Sequence, residues 1–264
     1  MKIRLQKVIA DAGLASRREA ERWIAEGLVE VNGSVATQPG TTVDPVSDEV
    51  RVRGKLIPRS QDKVYLLLNK PTGYLTTTVP DARGRKTVMD IVEKAPTRVF
   101  PVGRLDFNTQ GALLLTSDGT LSKKLLDPKY QVPRTYLVKV RGIPDEKQLQ
   151  RLRRGIRLDD RPTAPMEATV HRVSGKNCFL KLKLVEGKNR HIKRVCEAVR
   201  HPVVRLKRTH FAGLNLTGLP LGAYRFLSPR EIRSLEFLVK KEPSTERRPA
   251  RSRSTAKTKR IKKK

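Results

Sequence analysis

Six runs of apolar and β-branched residues between Val64 and Gly213 limit the folds open to this chain. They are VYLLLNKP, YLTTTV, ALLLTS, RTYLVKVRG, CFLKLKLVEG and VVRLKRTHFAG, and runs of this composition favour strands. Between and after them, residues 121–126, 146–153, 189–199 and 229–237 have helical patterns. Residues 61–239 are therefore predicted to form a mixed α+β domain of catalytic size, the main domain.

The first 60 residues form a separate pattern, the front module. Ser16 and Glu19 have capping-box spacing at the start of a helix that Gly27 can end. A short helix over residues 3–10 precedes it. Asn32 and Gly33 then separate two short alternating runs, which is typical of a tight hairpin. The order predicted is helix, helix, hairpin, then a last strand near residues 49–53 and a linker at residues 58–62.

The charge balance points to a polyanionic partner. Lysine and arginine number 57 against 26 acidic residues, a net charge of +31. Nucleic acid is the first expectation for such a partner and an acidic membrane surface the second. Residues 240–264 carry much basic charge and few apolar groups, so we expect a disordered tail. The rest of the chain is basic in its own right, which predicts that the folded part also contacts the partner.

Other signals are weak. Cys178 and Cys196 are the only cysteines, which fits a reducing cytoplasm, and no segment has the roughly 20 apolar residues of a membrane span. The four histidines have no usual zinc spacing, so no metal is expected. We find no nucleotide-binding or phosphate-loop fingerprint. A cytoplasmic protein without a cofactor or a membrane partner is expected.

The basic residues of the front module have two interpretations. Several lie near the start of the second helix, where backbone N–H groups favour an anion; a solvated basic helix face explains them equally well. The segment from Met1 to about Asp48 resembles the small RNA-binding module first described in the ribosomal S-four protein. That resemblance favours RNA contact, and the candidate residues are Arg4, Lys7, Ser16, Arg17, Arg18 and Asn32.

One carboxylate stands out in the stretch GRLDFNTQGALLLTSDG. Asp106 lies two residues after Arg104, between Gly103 and Gly111, and just before an apolar strand. A lone aspartate in a loop most often bonds its own backbone. The flanking glycines, which permit close backbone approach, and the strand that would fix the loop favour a functional site instead.

The same stretch is similar to the signature of the pseudouridine synthases. LLLNKPTGYLTT, KTVMDIV, RTYLVKVRG, LVEGKNRHIKRVCEAVRHPVVRLKR and LGAYRFLSPREI also resemble blocks of that family, in the family's order. The branch indicated acts on ribosomal RNA and has an S-four-type front module; details such as Asn-Thr after Asp-Phe are most like its large-subunit enzymes. The resemblance implies a mainly antiparallel mixed sheet flanked by helices, and a cofactor-free isomerisation of uridine to pseudouridine.

The resemblance also implies site residues. Asp106 matches the catalytic aspartate, acting either as a nucleophile or as a base at C2′. Lys193 matches its cationic partner, with Arg104 and Arg190 as positioning groups, although the basic run Lys188–Arg194 is also typical of an RNA-facing helix start. Tyr136 matches the tyrosine that stacks on the extruded base; a buried strand tyrosine is the alternative.

The remaining expectations concern partners. Arg83 and Arg85, in the loop PDARGRKTV, are either an RNA-gripping arm or a solvated loop. Ribosomal RNA is the expected partner, possibly within a large-subunit assembly intermediate, and the chain is expected to act as a monomer. An assembly factor without catalytic activity and an RNA methyltransferase are the alternatives; the first has no need for Asp106, Tyr136 and Lys193 together, and the second lacks a cofactor loop.

Overall fold

The computed structural model describes residues 1–58, 62–159 and 161–240. The front module begins with the strand β1 (Ile3–Arg4) and the helices α1 (Leu5–Asp11) and α2 (Arg17–Ala25). Five short strands follow: β2 (Val29–Val31), β3 (Ser34–Val35), β4 (Thr42–Val43), β5 (Val50–Val52) and β6 (Lys55–Leu56). Most of the predicted linker and all but the first residue of the predicted tail lie outside the described residues.

Local signals in the front module are confirmed. The Ser16 hydroxyl accepts a hydrogen bond from the Glu19 N–H at 3.1 Å, and the Glu19 carboxylate accepts one from the Ser16 N–H at 3.4 Å. The hairpin β2–β3 turns at Asn32 and Gly33, both with positive φ. The first helix begins at Leu5, later than predicted, because the two residues before it pair with β4.

The main domain contains the larger set of elements. Its strands and helices, in chain order, are β7 (Tyr65–Lys70), α3 (Val88–Ile91), β8 (Phe100–Pro101), β9 (Thr109–Thr116), α4 (Gly119–Leu126), β10 (Arg134–Arg141), α5 (Glu146–Arg154), β11 (Arg157–Leu158), β12 (Arg161–Pro162), β13 (Glu167–Ser174), β14 (Asn177–Leu184), α6 (His191–Ala198), β15 (Val203–Phe211), β16 (Leu214–Asn215), β17 (Tyr224–Phe226) and α7 (Pro229–Leu238). A short 3-10 helix (Pro128–Tyr130) follows α4.

A mixed sheet organises these elements, in the order β13-β14-β10-β15-β9-β7-β17, with β16 on β15 and β8 on β9. The pair β15–β9 is parallel and its neighbours are antiparallel, so the predicted α+β fold with a mainly antiparallel mixed sheet is confirmed. Gly111 pairs with Lys70 on one side and Arg208 on the other. A Cβ there would overlap the Arg208 carbonyl, so β9 and β15 meet only because this residue is glycine.

Separate apolar cores stabilise the two halves of the sheet. On one half, α5 and α6 pack on the inward residues of β10, β13 and β14 through Leu152, Val195 and Cys196. On the other half, α4 and α7 cover one face of β7 and β9, and α3 covers the opposite face. The parallel pair β9–β15 joins the halves, and the segments that lead into β9 and α6 meet near this junction.

One predicted strand is wrong. Residues 74–79, YLTTTV, form a loop in which only Leu75 makes an isolated bridge, to Thr87. The Thr76 hydroxyl donates to the Leu105 carbonyl at 2.7 Å, so this loop packs on the segment that precedes β9 instead of extending the sheet. Strand β13 was not predicted, because most of its residues are exposed and its apolar residues do not alternate regularly.

Candidate active site

Two charged side chains from distant parts of the chain meet at the junction of the sheet halves. Lys193 Nζ donates to Asp106 Oδ2 at 2.7 Å, although the residues are 87 positions apart. Asp106 lies in the loop between β8 and β9, and Lys193 lies in the first turns of α6. Both side chains are partly exposed, at 39% for Asp106 and 25% for Lys193. A carboxylate in a solvent-accessible site, held beside an ammonium, is placed where it can reach a substrate as a nucleophile or base.

A buried lysine, missed by the sequence analysis, holds the loop that carries Asp106. Lys70, at the end of β7, is 0% exposed. Its Nζ faces four backbone carbonyls, those of Pro71 (3.0 Å), Asp106 (3.2 Å), Phe107 (3.4 Å) and Thr109 (3.1 Å). Burial lowers the pKa of Lys70 to about 8, and the nearby charge of Asp106 opposes this shift. The signal available in the sequence was a lysine at the end of a strand of buried-type residues.

The loop has further local constraints. The Leu105 N–H donates to the Thr76 hydroxyl at 3.3 Å, the Thr109 N–H donates to the Asp106 carbonyl and the Gly73 N–H to the Phe107 carbonyl. These bonds fix the backbone on both sides of the Asp106 carboxylate. A catalytic group held in this way needs little reorganisation to react.

A small pocket of about 140 Å³ opens beside the ion pair. Tyr136, half-buried on β10, lines it together with Arg134 and Arg208. Both guanidinium groups lie over the ring of Phe211, at 5.8 and 4.7 Å from its centroid. Neither arginine was singled out from the sequence. Tyr136 thus lines the pocket and also packs against the core under α6.

A larger groove of about 730 Å³ adjoins the pocket and shares its Asp106 wall. Arg104 and Arg190 line both cavities. Arg85 lines the groove from the loop of residues 79–86, where it pairs with Asp81 at 2.9 Å and lowers the pKa of that carboxyl to about 2. Arg83 is exposed but does not line the groove. The small pocket has room for a base, and the groove is lined with the cations that a phosphodiester strand requires.

His191, the first residue of α6, is a buried wall of the pocket. Its side chain lines the pocket and the residue is only 5% exposed, and neither ring nitrogen has a hydrogen-bond partner. Glu186 Oε2 is 3.8 Å from its Nδ1. Burial lowers the pKa of His191, so the ring is neutral at neutral pH. It fills the pocket wall without adding a cation beside Lys193.

None of the candidates in the front module lines the pocket or the groove beside Asp106. Arg4, Arg17 and Arg18 are exposed, and Lys7 pairs with Asp11. The Ser16 hydroxyl caps α2. The Asn32 side chain bonds the Asp48 carboxylate and the Glu49 N–H. The polar groups of Ser16 and Asn32 are thus hydrogen-bonded within the module, whereas Arg4, Arg17 and Arg18 are exposed.

Comparison with known proteins identifies the class that this fold and site define. Residues 64–198 match the model of the RNA pseudouridylate synthase family, and residues 3–50 match the S4 domain. The chain therefore belongs to the RNA pseudouridylate synthase family, whose members are isomerases acting on RNA. The family resemblance inferred from Asp106 and its flanking blocks is confirmed.

Two curated relatives and one solved structure are similar to this chain over most of its length. The chain is 46% identical over 238 residues to ribosomal large subunit pseudouridine synthase B of Bacillus subtilis, covering 89% of this chain and 96% of that protein. It is 40% identical to the protein of the same name from Pseudomonas aeruginosa, over 91% of this chain and 63% of the relative. A crystal structure of a pseudouridylate synthase superposes with a TM-score of 0.64 at 27% identity, covering 88% of this chain and 99% of that one.

Proposed function

We propose that this chain converts a uridine of large-subunit ribosomal RNA to pseudouridine, with Asp106 as the catalytic carboxylate. The ion pair between Asp106 and Lys193, at the mouth of the pocket that Tyr136 lines, is the observation that supports this most directly. The names of the Bacillus and Pseudomonas relatives support the choice of the large subunit.

The reaction is balanced without a co-reactant. The bond from N1 of uracil to C1′ breaks, the base turns, and C5 bonds to C1′; C5 loses a proton and N1 gains one. The Asp106 carboxylate attacks the sugar or the ring, or removes the proton at C2′, and Lys193 holds that carboxylate in position. All three routes use the same carboxylate, so the loss of Asp106 abolishes each of them.

Access to the base requires its removal from the RNA stack. An aromatic platform offsets that cost at roughly 1–3 kcal/mol for each stacked base. Tyr136 supplies the platform in the small pocket. Arg104, Arg190 and Arg85 hold the flanking strand in the groove, and Arg83 contributes only long-range charge.

Parts of the chain outside the main domain bind RNA as well. Arg4, Arg17 and Arg18, with Lys7, form the RNA-binding edge of the front module, and Ser16 and Asn32 keep its helix start and hairpin in place. We propose domain limits of 1–60, 61–239 and 240–264, with the basic tail as a further handle. The protein acts as a monomer in the cytoplasm, on naked RNA or on a large-subunit assembly intermediate. No helix in the described part of the chain is long and apolar enough to cross a membrane.

Pseudouridine mapping tests the proposal. Ribosomal RNA is incubated with the parent protein, with Asp106→Asn and with Asp62→Asn, a matched change at an exposed carboxylate of the main domain, without added metal or cofactor. The parent and the Asp62 variant are expected to modify one and the same uridine, and the Asp106 variant none at matched RNA binding.

Two results would overturn this function. Modification by Asp106→Asn at the parent's rate would remove Asp106 from the mechanism. Tight binding of RNA and assembly particles by the parent, without modification of either, would favour an assembly factor that retains the fold.

A further inference from the structure

The sheet face opposite the pocket carries an unusual arrangement of charge. Strands β13, β14, β10 and β15 are neighbours, and residues directly opposite each other on antiparallel strands point to the same face. Tyr136 pairs with Leu182 and with Arg208, and these three lie on the face that holds α6 and the pocket. The residues between them therefore point to the other face, which we name the rear face.

The register places cations in rows across the rear face. One row runs Arg172, Phe179, Lys139, Arg205; the next runs Thr169, Lys181, Leu137, Lys207; a third contains Glu167 and Lys183. These side chains are exposed or partly exposed. Neighbouring strands lie about 4.8 Å apart and successive rows about 7 Å apart, so the cations form a closely spaced lattice.

Little on the rear face neutralises this charge. Glu167 pairs with Lys183 at 2.8 Å. Among the residues that the structure describes, Lys139, Lys181 and Lys207 make no ion pair with a carboxylate. Partial burial, together with the charge of Lys181, lowers the pKa of His210 at the edge of the same face.

Two features of the rear face bring like charges close together in the folded protein. Lys139 lies directly opposite Arg205, and like charges in that position destabilise a sheet. Phe179 lies between two cations, with Arg172 at 4.4 Å and Lys139 at 5.6 Å from its ring centroid. These contacts place two cations around the same aromatic ring. A polyanion bound across the rows would remove the repulsion.

We propose that the rear face is a second RNA-binding surface, which contacts the phosphodiester backbone of a long folded RNA while its target uridine occupies the Asp106 pocket. This inference rests on the proposed function. The rear face is expected to contact phosphates and not base edges. Its lysines, which alternate with Thr169 and Leu137, supply charge without the pattern of donors and acceptors that recognises a base. A short hairpin that fills the pocket lacks the additional RNA that would reach the rear face.

The test compares two triple variants with the same change of charge. The rear-face variant is Lys139→Gln, Lys181→Gln and Lys207→Gln; the control is Lys147→Gln, Arg230→Gln and Arg233→Gln, which alters exposed residues of α5 and α7. Binding of transcribed large-subunit ribosomal RNA is measured from 50 to 200 mM salt, and isomerisation is measured on that RNA and on a short hairpin containing the mapped uridine.

Counterion release sets the expected size of the effect. Loss of three phosphate contacts lowers the slope of log affinity against log salt by about 2–3, so over this range the parent loses about 16- to 64-fold more affinity than the rear-face variant. The control is expected to retain the parent's slope. Turnover of the short hairpin is expected to be unchanged in both variants.

Equal slopes for the rear-face variant and the control would overturn the inference, as would binding of anionic lipid vesicles by the parent as tight as its binding of RNA. Failure of the proposed function is a separate result, because it appears as the absence of pseudouridine with the parent protein. Thermal unfolding verifies that each variant is folded. If the triple variant is not, Lys181→Gln and Lys207→Gln are measured singly, each with an expected slope change of about 1.

Discussion

Replacement of Lys70 by methionine tests how the loop that carries Asp106 is held. Methionine matches the lysine side chain as far as Cε and lacks the ammonium that faces four backbone carbonyls. The carbonyls of Asp106 and Phe107 retain other donors, the N–H groups of Thr109 and Gly73. The carbonyls of Pro71 and Thr109 lose a hydrogen bond from the same ammonium.

The magnitude follows from these counts. A buried carbonyl left unpaired costs about 1–3 kcal/mol, and removal of a buried charge recovers part of that cost, so Lys70→Met is expected to lower the free energy of unfolding by about 2–4 kcal/mol. A shift of the Asp106 carboxylate by about 1 Å reduces turnover about 100-fold. The matched control is Lys63→Met, an exposed lysine just before the same strand.

Single-turnover pseudouridine formation and denaturant unfolding provide the assays for Lys70→Met and its control.

The activity of the parent is expected to fall as the pH rises through about 8, the pKa of buried Lys70. Because this pKa lies below the ordinary value of 10.5, the unfolded chain binds more protons between pH 8 and 10.5, and this group makes the folded state more stable as the pH rises there. A loss of parent activity above pH 8 without a loss of stability therefore indicates that protonated Lys70 acts by holding the Asp106 loop. Turnover by Lys70→Met within about threefold of the parent, at equal stability, would refute the reasoning.

Three further changes have defined outcomes. Gly111→Ala is expected to destabilise the fold by at least about 3 kcal/mol, because its Cβ would overlap a carbonyl of the neighbouring strand. In the control Gly33→Ala, the Cβ meets nothing within 4 Å, and the positive φ alone costs about 1 kcal/mol. Equal melting temperatures of the two variants would contradict this. Tyr136→Leu is expected to reduce turnover about 5- to 150-fold through lost base stacking, and Tyr136→Phe much less; equal losses would exclude stacking as its main role. Arg225 lowers the pKa of the Glu231 carboxyl to about 2, so this partly exposed pair contributes about 1 kcal/mol above pH 4.5 and loses it as the pH falls toward 2. Glu231→Gln is expected to be less stable than the parent at pH 7 and equal to it near pH 2, as measured by urea unfolding; a constant difference would show that the charge is unimportant.

Local features were predicted well from the sequence because their causes are local. The Ser16–Glu19 capping box and the Asn32–Gly33 turn depend on residues that are close in the chain. The strands β7, β9, β10, β14 and β15 were found because long apolar or alternating runs admit few other structures. Residues 74–79 misled the same reasoning, because β-branched composition indicates an extended backbone and does not say whether a neighbouring strand is available to pair with it.

The sequence by itself determined the family, the mixed fold and the candidate carboxylate Asp106, since these follow from motifs in a fixed order. The tertiary structure alone decided that Lys70 is buried beneath the Asp106 loop and that Lys139 lies opposite Arg205 on the rear face. The physical reason is that alternation along a strand divides its side chains between two faces, but strand register and helix docking decide which side chains become neighbours and which face is covered. Burial, pairing and repulsion are properties of those neighbours.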